Sequence, residues 1–401
     1  MPLSDIPIRP AGLPTTPPPT ALPLALYVHI PWCVRKCPYC DFNSHAAPDG
    51  LPETAYIDAL FADLEASLPL VWGRKVGSVF IGGGTPSLFS AAGIDHLLGG
   101  IRARLPLQAD AEITLEANPG TAEREKFMGF RDAGVTRLSV GIQSFNHRHL
   151  QTLGRIHSSE EAQAACHMAR ELFPSFNLDL MYALPGQTLS ESLSDVETAL
   201  SFDPKHLSCY QLTLEPNTPF YATPPDLPDG DLAADMQDAI EQRLSSAGFE
   251  HYETSAFACP GHRCRHNLNY WTFGDYLGIG AGAHGKISSH DCIVRTTKPR
   301  SPKDYLASGG AVTGFSRDGD VVTAEQLPFE FMMNALRLLD GVTTPLLAER
   351  TRLSSSALRA LDPIIEQARR DGLLIADPTR LAPSDTGRRF LNRLLGRFLV
   401  D

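Results

Sequence analysis

Short apolar runs alternate with amphipathic stretches over the first 250 residues, and this alternation restricts the chain to a parallel-sheet architecture. The apolar runs cover residues 24–29, 78–81, 112–116, 137–142, 177–181 and 206–214. Helical periodicity covers 54–68, 94–105, 122–133, 158–172, 189–200 and 232–247 between and after them. Strand–helix units in this succession predict an α/β fold, a partial (β/α)6 barrel. In such sheets chemistry collects at the C-terminal ends of the strands.

The loop after the first run carries Cys33, Cys37 and Cys40, within Tyr27-Val-His-Ile-Pro-Trp-Cys33-Val-Arg-Lys-Cys37-Pro-Tyr-Cys40-Asp-Phe42. Three thiolates on one short loop, with the next cysteine at 166, suit a soft metal or an iron–sulfur cluster. A 4Fe–4S cubane held by three cysteines keeps one iron open to a small chelating ligand. A zinc site would need a fourth ligand, which His29 or His45 could supply. A disulfide leaves an odd thiol, and no secretory signal places the chain in an oxidising compartment.

Composition is that of a globular protein, with 43% hydrophobic and 20% charged residues and no apolar run long enough for a membrane helix. The net charge of −11 and the absence of a basic stripe argue against nucleic acid as a partner. Eight prolines in the first 23 residues predict a disordered or extended arm over 1–23. The barrel is expected over 24–250 and a barrel-mouth region over 251–320. A C-terminal, mostly helical domain over 321–401 completes the organisation. Within it, 372–375 and 381–383 resemble the short strands of a winged helix. Cys166, Cys209 and Cys292 read as buried, inert thiols.

Polar groups recur at successive strand ends. Gly82-Gly-Gly-Thr-Pro-Ser87 closes the second run, and glycines there let the backbone approach a ligand closely. Glu116, Gln143 and Asp179 end the next three runs, with Arg155 on the connection after Gln143. Carboxylates and amides can hold ribose hydroxyls and an adenine edge, and an arginine can pair with a carboxylate. A second cluster, Cys259, His262, Cys264 and His266, falls within eight residues and would allow zinc. It runs into His266-Asn-Leu-Asn-Tyr-Trp271, whose imidazole and flat rings suit a porphyrin.

The C-x3-C-x2-C loop and the glycine turn resemble those of radical S-adenosylmethionine (SAM) proteins. Together with Gly-Ile-Gln-Ser-Phe and Asp-Leu-Met-Tyr-Ala-Leu-Pro-Gly-Gln-Thr, they are similar to the coproporphyrinogen-dehydrogenase branch of that superfamily, from about residue 24 onward. That branch contains oxygen-independent coproporphyrinogen III oxidases and haem chaperones. The chain departs from the oxidases in having Asp41-Phe42 after Cys40 in place of a further cysteine, and in its short proline-rich arm. The His-Asn-x-x-Tyr-Trp motif matches the chaperones.

The resemblance implies a 4Fe–4S cluster on Cys33, Cys37 and Cys40. It implies a SAM site drawn from Tyr27, Tyr39, Gly83, Gly84, Thr85, Glu116, Gln143, Arg155, Asp179, Thr213 and His284. It also implies haem contacts from His266, Asn267, Tyr270 and Trp271. The expected function is haem binding and transfer to an acceptor such as a membrane respiratory protein, in the cytoplasm, with flavodoxin or ferredoxin as electron donor. The alternatives are radical SAM decarboxylation of coproporphyrinogen III and simple electron transfer.

Overall fold

A computed structural model describes residues 22–310 and 321–399, so positions 1–21 of the expected N-terminal arm lie outside the described residues. The barrel strands are β1 (Leu24–Ile30), β2 (Val76–Gly83), β3 (Leu107–Ala117), β4 (Arg137–Gln143), β5 (Ser175–Tyr182) and β6 (His206–Gln211). They pair in parallel in chain order. Helices α1 (Glu53–Ser67), α2 (Ala91–Arg104), α3 (Arg124–Asp132), α4 (Ser159–Leu172), α5 (Leu189–Ser201) and α6 (Gly230–Ser246) follow the respective strands. Their starts are legible locally. Ser158 with Glu161 and Thr188 with Glu191 form reciprocal capping boxes, which satisfy N–H groups that a helix start leaves without partners.

The sheet continues beyond the six barrel strands. β7 (Glu250–Glu253) and β8 (Ala256–Ala258) extend one edge, while β9 (Asp275–Ile279), β10 (His284–Ser288), β11 (Ile293–Thr297) and β12 (Val321–Val322) extend the other. The order is β12-β11-β10-β9-β1-β2-β3-β4-β5-β6-β8-β7, and β9 joins β1 in parallel. Strand residues therefore supply much of 251–320. Between β8 and β9 the chain forms α7 (Arg265–Trp271), which packs against β1, β2 and β9.

Two large cores hold most of the apolar residues, beside a small cluster of Leu153, Met181, Leu184 and Leu212. Outward-facing Leu138, Val140 and Ile142 of β4 join the barrel core beneath the helices. The second core gathers Tyr252, Phe273 and Ile293 with the C-terminal helices α8 (Leu327–Ala335), α9 (Thr344–Thr351) and α10 (Ser355–Arg370). The C-terminal region is mostly helical. Its strand pairing differs in part from the winged-helix expectation: Arg380–Leu381 pairs with Val342–Thr343, and the 372–375 stretch contributes a single bridge from Leu374 to Pro383.

A fully buried charge triad fastens β9 in place. Asp275 accepts from Arg74 Nη1 at 2.7 Å and from Lys286 Nζ at 3.0 Å, and Ser288 donates to it through both Oγ and N. Burial alone would raise the Asp275 carboxyl, but Lys286 and Arg74 outweigh it and hold the group below its usual value. Removing one partner from such a cluster leaves buried charge without compensation. Asp275→Asn should lower unfolding stability by about 3–5 kcal/mol in urea titration. A loss near zero would show that the triad is not what anchors this edge.

Candidate functional site

The cysteine loop leaves β1 at the C-terminal end of the barrel. Trp32–Cys33 pairs with His45–Ala46, and Lys36 Nζ donates to the Phe42 carbonyl at 3.1 Å, closing the loop on itself. Asn43 Nδ2 donates to the carbonyls of Ala281 and Arg300, tying the loop to the turn after β9. His29 also anchors it, with one ring nitrogen 2.9 Å from the Asn43 carbonyl and the other 3.0 Å from Tyr27 Oη. His29 is thus committed to the fold and is not placed as a metal ligand.

The glycine turn packs directly on this loop. Gly84 N–H donates to the Ile30 carbonyl and Thr85 N–H to the Trp32 carbonyl, both at 2.7 Å. A Cβ on Gly84 would lie 2.6 Å from Trp32 O, and one on Gly83, at φ +113°, would lie 2.4 Å from the His29 ring. Gly83 N–H donates to Glu116 Oε2 at 3.0 Å. All three N–H groups are engaged internally, so backbone contact with a ligand here falls to carbonyl oxygens, which suit an ammonium group.

Cys33, Cys37 and Cys40 line one cavity of ≈ 370 Å³ and all carry free thiols. Burial pushes the Cys33 and Cys40 thiols up. Among the described residues, no three or more His, Cys, Asp or Glu side chains are spaced to hold a single metal ion. A cubane spreads its thiolates over separate irons, so three soft donors facing one chamber fit that group. The same finding corrects the zinc reading of the second cluster. Cys264 is buried with Sγ 3.6 Å from Glu112 Oε1, and His266 is bonded elsewhere.

Tyr39, Gly83, Gly84, Thr85, Glu116, Gln143, Arg155, Asp179 and Thr213 line the same cavity. Arg155 lies between the loop and β4, with Nη1 3.7 Å from Cys37 Sγ and Nη2 donating to the Gly141 carbonyl at 2.7 Å. Gln143 adopts φ +69°, a left-handed backbone that a side chain rarely takes and that marks local strain at the strand end. Glu116 is pushed up to about 7, first by burial and then by the charge of Asp179. Asp179 is raised by burial, opposed by bonds from Asn177, Ser208 and Ser139.

Two expected SAM residues fall outside the lining. Tyr27 is turned onto His29 and packs against Phe80 and His266. His284 is exposed at the start of β10 and is not among the residues that line the chamber.

The haem candidates divide in the same way, and Asn267 is the one that lines the cavity. His266 is 1% exposed, with Nδ1 3.1 Å from Ser78 Oγ and Nε2 2.9 Å from Tyr270 Oη. Burial, reinforced by the charge of Arg137, pushes it down to about 3. As folded here it offers no nitrogen to a haem iron. Tyr270 packs edge-on against Tyr276, and Trp271 lies under the Arg337 guanidinium in the second core. The motif packs as a plug beneath β1 and β2: His266 and Tyr270 are bonded to each other, while Trp271 stacks on Arg337 with its indole N–H unpartnered.

Sequence reading passed over Arg137, Ser139, Asn177, His206, Ser208 and Tyr210, which also line the cavity. The signal was present as period-two continuation down strands whose ends had been identified: 143, 141, 139, 137 on β4 and 181, 179, 177 on β5. Asn177 ties them together. Its Nδ2 donates to Ser139 Oγ at 2.9 Å and Asp179 Oδ1 at 2.8 Å, while its Oδ1 faces His206 Nδ1 and Ser208 Oγ. Of the cysteines expected to be buried, Cys166 and Cys209 are, while Cys292 is half-buried beside Ser289.

The raised Glu116 carboxyl gives a pH signature. The native state binds a proton that the unfolded state releases between about 4.5 and 7, so stability falls as pH rises through that window. Glu116→Gln keeps an acceptor for Gly83 N–H without the charge. It should be more stable than wild type at pH 8, by on the order of 3 kcal/mol, with the gap closing towards pH 5. Thermal melts of both proteins across that range test this, and a pH-independent difference would refute it.

Residues 27–199 match the radical SAM superfamily and residues 322–390 the HemN C-terminal domain. The chain is 49% identical over 381 residues to heme chaperone HemW of Escherichia coli (strain K12), covering 94% of this chain and 99% of that protein. It is 47% identical over 386 residues to heme chaperone HemW of Haemophilus influenzae, covering 94% and 98%. Among solved structures it resembles coproporphyrinogen III oxidase (HemN) from Escherichia coli, described as a radical SAM enzyme. The TM-score is 0.76 at 25% identity, over 94% of this chain and 90% of that one. A near full-length match at this identity, on a barrel whose cysteine loop opens into a polar chamber, shows that the chain belongs to the HemW family of the radical SAM superfamily.

Proposed function

We propose that this chain is a haem chaperone that holds haem for delivery to an acceptor protein and carries a 4Fe–4S cluster and SAM in its barrel. What carries the reading is the near full-length identity to heme chaperone HemW, with Asp41-Phe42 after Cys40 and no further cysteine there. Cys33, Cys37 and Cys40 would hold the cluster. When bound, the cluster supplies an open iron and one-electron reduction.

The remaining contributions come from side chains. Arg155 takes a carboxylate beside the cysteine loop, and the glycine turn presents carbonyl oxygens to an ammonium group. Glu116 and Asp179 accept hydrogen bonds from ribose hydroxyls, and Asp179 is held in place by Asn177 and Ser139. Tyr39, packed near Phe220, gives a flat wall at the mouth. Val34 and Phe42 are 50% and 60% exposed beside exposed Arg35 and Lys36, a surface suited to an acidic electron carrier such as flavodoxin or ferredoxin. No helix among the described residues is long and apolar enough to cross a membrane, and we assign the protein to the cytoplasm on the sequence reading above.

Anaerobic reconstitution tests the assignment. Wild type should gain cluster absorbance that Cys37→Ala lacks, and SAM should perturb the electron paramagnetic resonance spectrum of the reduced cluster. Added haem should give a Soret band, while coproporphyrinogen III with reductant and SAM should yield no protoporphyrinogen. Decarboxylation would establish the oxidase instead, and absence of the Soret band would remove the chaperone reading. Because His266 is bonded internally, His266→Ala should lower the melting temperature and retain the Soret band. Loss of the band with an unshifted melting temperature would return iron ligation to His266.

A further inference from the structure

At the floor of the chamber, farthest from the cysteine loop, lies a guanidinium with no partner. Arg137 is the first residue of β4, is 2% exposed and lines the cavity. Among the described residues its guanidinium makes no hydrogen bond and no ion pair, and its Nε is buried without an acceptor. The carboxylates whose charge reaches it are held elsewhere. Glu112 accepts from the Arg265 and His266 N–H groups at 3.0 and 3.3 Å, and Asp179 accepts from Asn177 and Ser139. Thr114, the register partner of Arg137 on β3, also has a buried hydroxyl without a partner. From the opposite side, Asn267 of α7 lines the same cavity and its amide makes no hydrogen bond among the described residues. Burial opposes the Arg137 charge, and nearby Glu112 and Asp179 support it without bonding to it, so its guanidinium keeps free donors, in a fork shaped to take a carboxylate through two parallel bonds.

We infer that Arg137 and Asn267 form an anion subsite at the floor of the barrel that takes a carboxylate on a narrow stem. The whole cavity measures ≈ 370 Å³, at the small end of ligand pockets, so its floor admits a stem and not a ring system. Two sources share this chemistry: a free short-chain carboxylic acid, and a propionate arm of a porphyrin whose macrocycle stays outside. The second rests on the proposed haem-binding function, and the first does not.

Thermal melts of the reconstituted protein with sodium propionate, against sodium chloride at equal ionic strength, test the subsite. Propionate should raise the melting temperature of wild type in a saturable way. Arg137→Gln should weaken its apparent affinity at least about tenfold, the loss expected for a charged hydrogen-bond partner. Arg137→Lys, which keeps charge but loses the fork, should fall between them. Should Arg137→Gln not fold, Asn267→Ala approaches the same floor from α7 and should show a smaller loss. Haem and its dimethyl ester separate the sources. Weaker binding of the ester by wild type, but not by the Arg137 variant, identifies the porphyrin arm. Equal binding of both, with propionate stabilisation intact, identifies a free acid. Stabilisation by propionate no greater than by chloride in wild type, or unchanged by the Arg137 and Asn267 substitutions, overturns the subsite whether or not haem binds.

Discussion

The site depends on the close approach between the glycine turn after β2 and the start of the cysteine loop after β1. Two short backbone hydrogen bonds, from Gly84 to Ile30 and from Thr85 to Trp32, hold these segments together. No side chain fits between them, since a Cβ at Gly84 would meet the Trp32 carbonyl at 2.6 Å. The contact fixes the loop's position relative to the parallel sheet and points its thiols at the strand ends. Asn43 and His29 then secure the far side of the loop, so that neither end is set by the cysteines themselves.

Below that contact the lumen departs from the packed apolar interior of a closed eight-stranded barrel, where branched side chains fill successive layers. Here the inward positions of β4, β5 and β6 are Arg137, Ser139, Gln143, Asn177, Asp179, His206 and Ser208. Buried polar groups are tolerable only when paired, and Asn177 pairs most of these at once. With both its donors and its acceptor engaged on three strands, it sets the orientation of Asp179 at the mouth and keeps neutral His206 on the Tyr252 hydroxyl at the floor. One polar network thus links the chamber to the second core.

The strand–helix order and most of the chamber mouth were legible because they depend on local signals: apolar periodicity, capping residues, a glycine run and a cysteine spacing. Glu116 and Gln143 could be found because each ends an apolar run, and Asp179 because it is a lone carboxylate within one. The floor was not legible, since Arg137, Asn177 and His206 sit at strand starts, where a polar residue reads as an exposed cap. His284 follows a turn that does sit at the barrel mouth, where Asn43 bonds the Ala281 carbonyl, but its side chain is exposed and outside the chamber lining, a detail set by the long-range pairing of β9 and β10. The rings of the His-Asn-x-x-Tyr-Trp motif were identified by their chemistry, whereas their direction depends on how α7 crosses beneath β1 and β2.

That crossing gives the motif a mechanical meaning apart from any ligand. His266 packs 5.1 Å from the Phe80 ring inside the barrel, while Trp271, five residues on, sits under Arg337 in the C-terminal core. One short helix therefore couples the chamber floor to the C-terminal helices. To present His266 to a haem iron, the chain would have to break its bonds to Ser78 and Tyr270, each worth about 1 kcal/mol net. It would also have to withdraw the ring from its aromatic contacts and open the floor beside Arg137. Iron ligation by His266 would therefore require α7 to rearrange, whereas Asn267 lines the chamber as the helix stands.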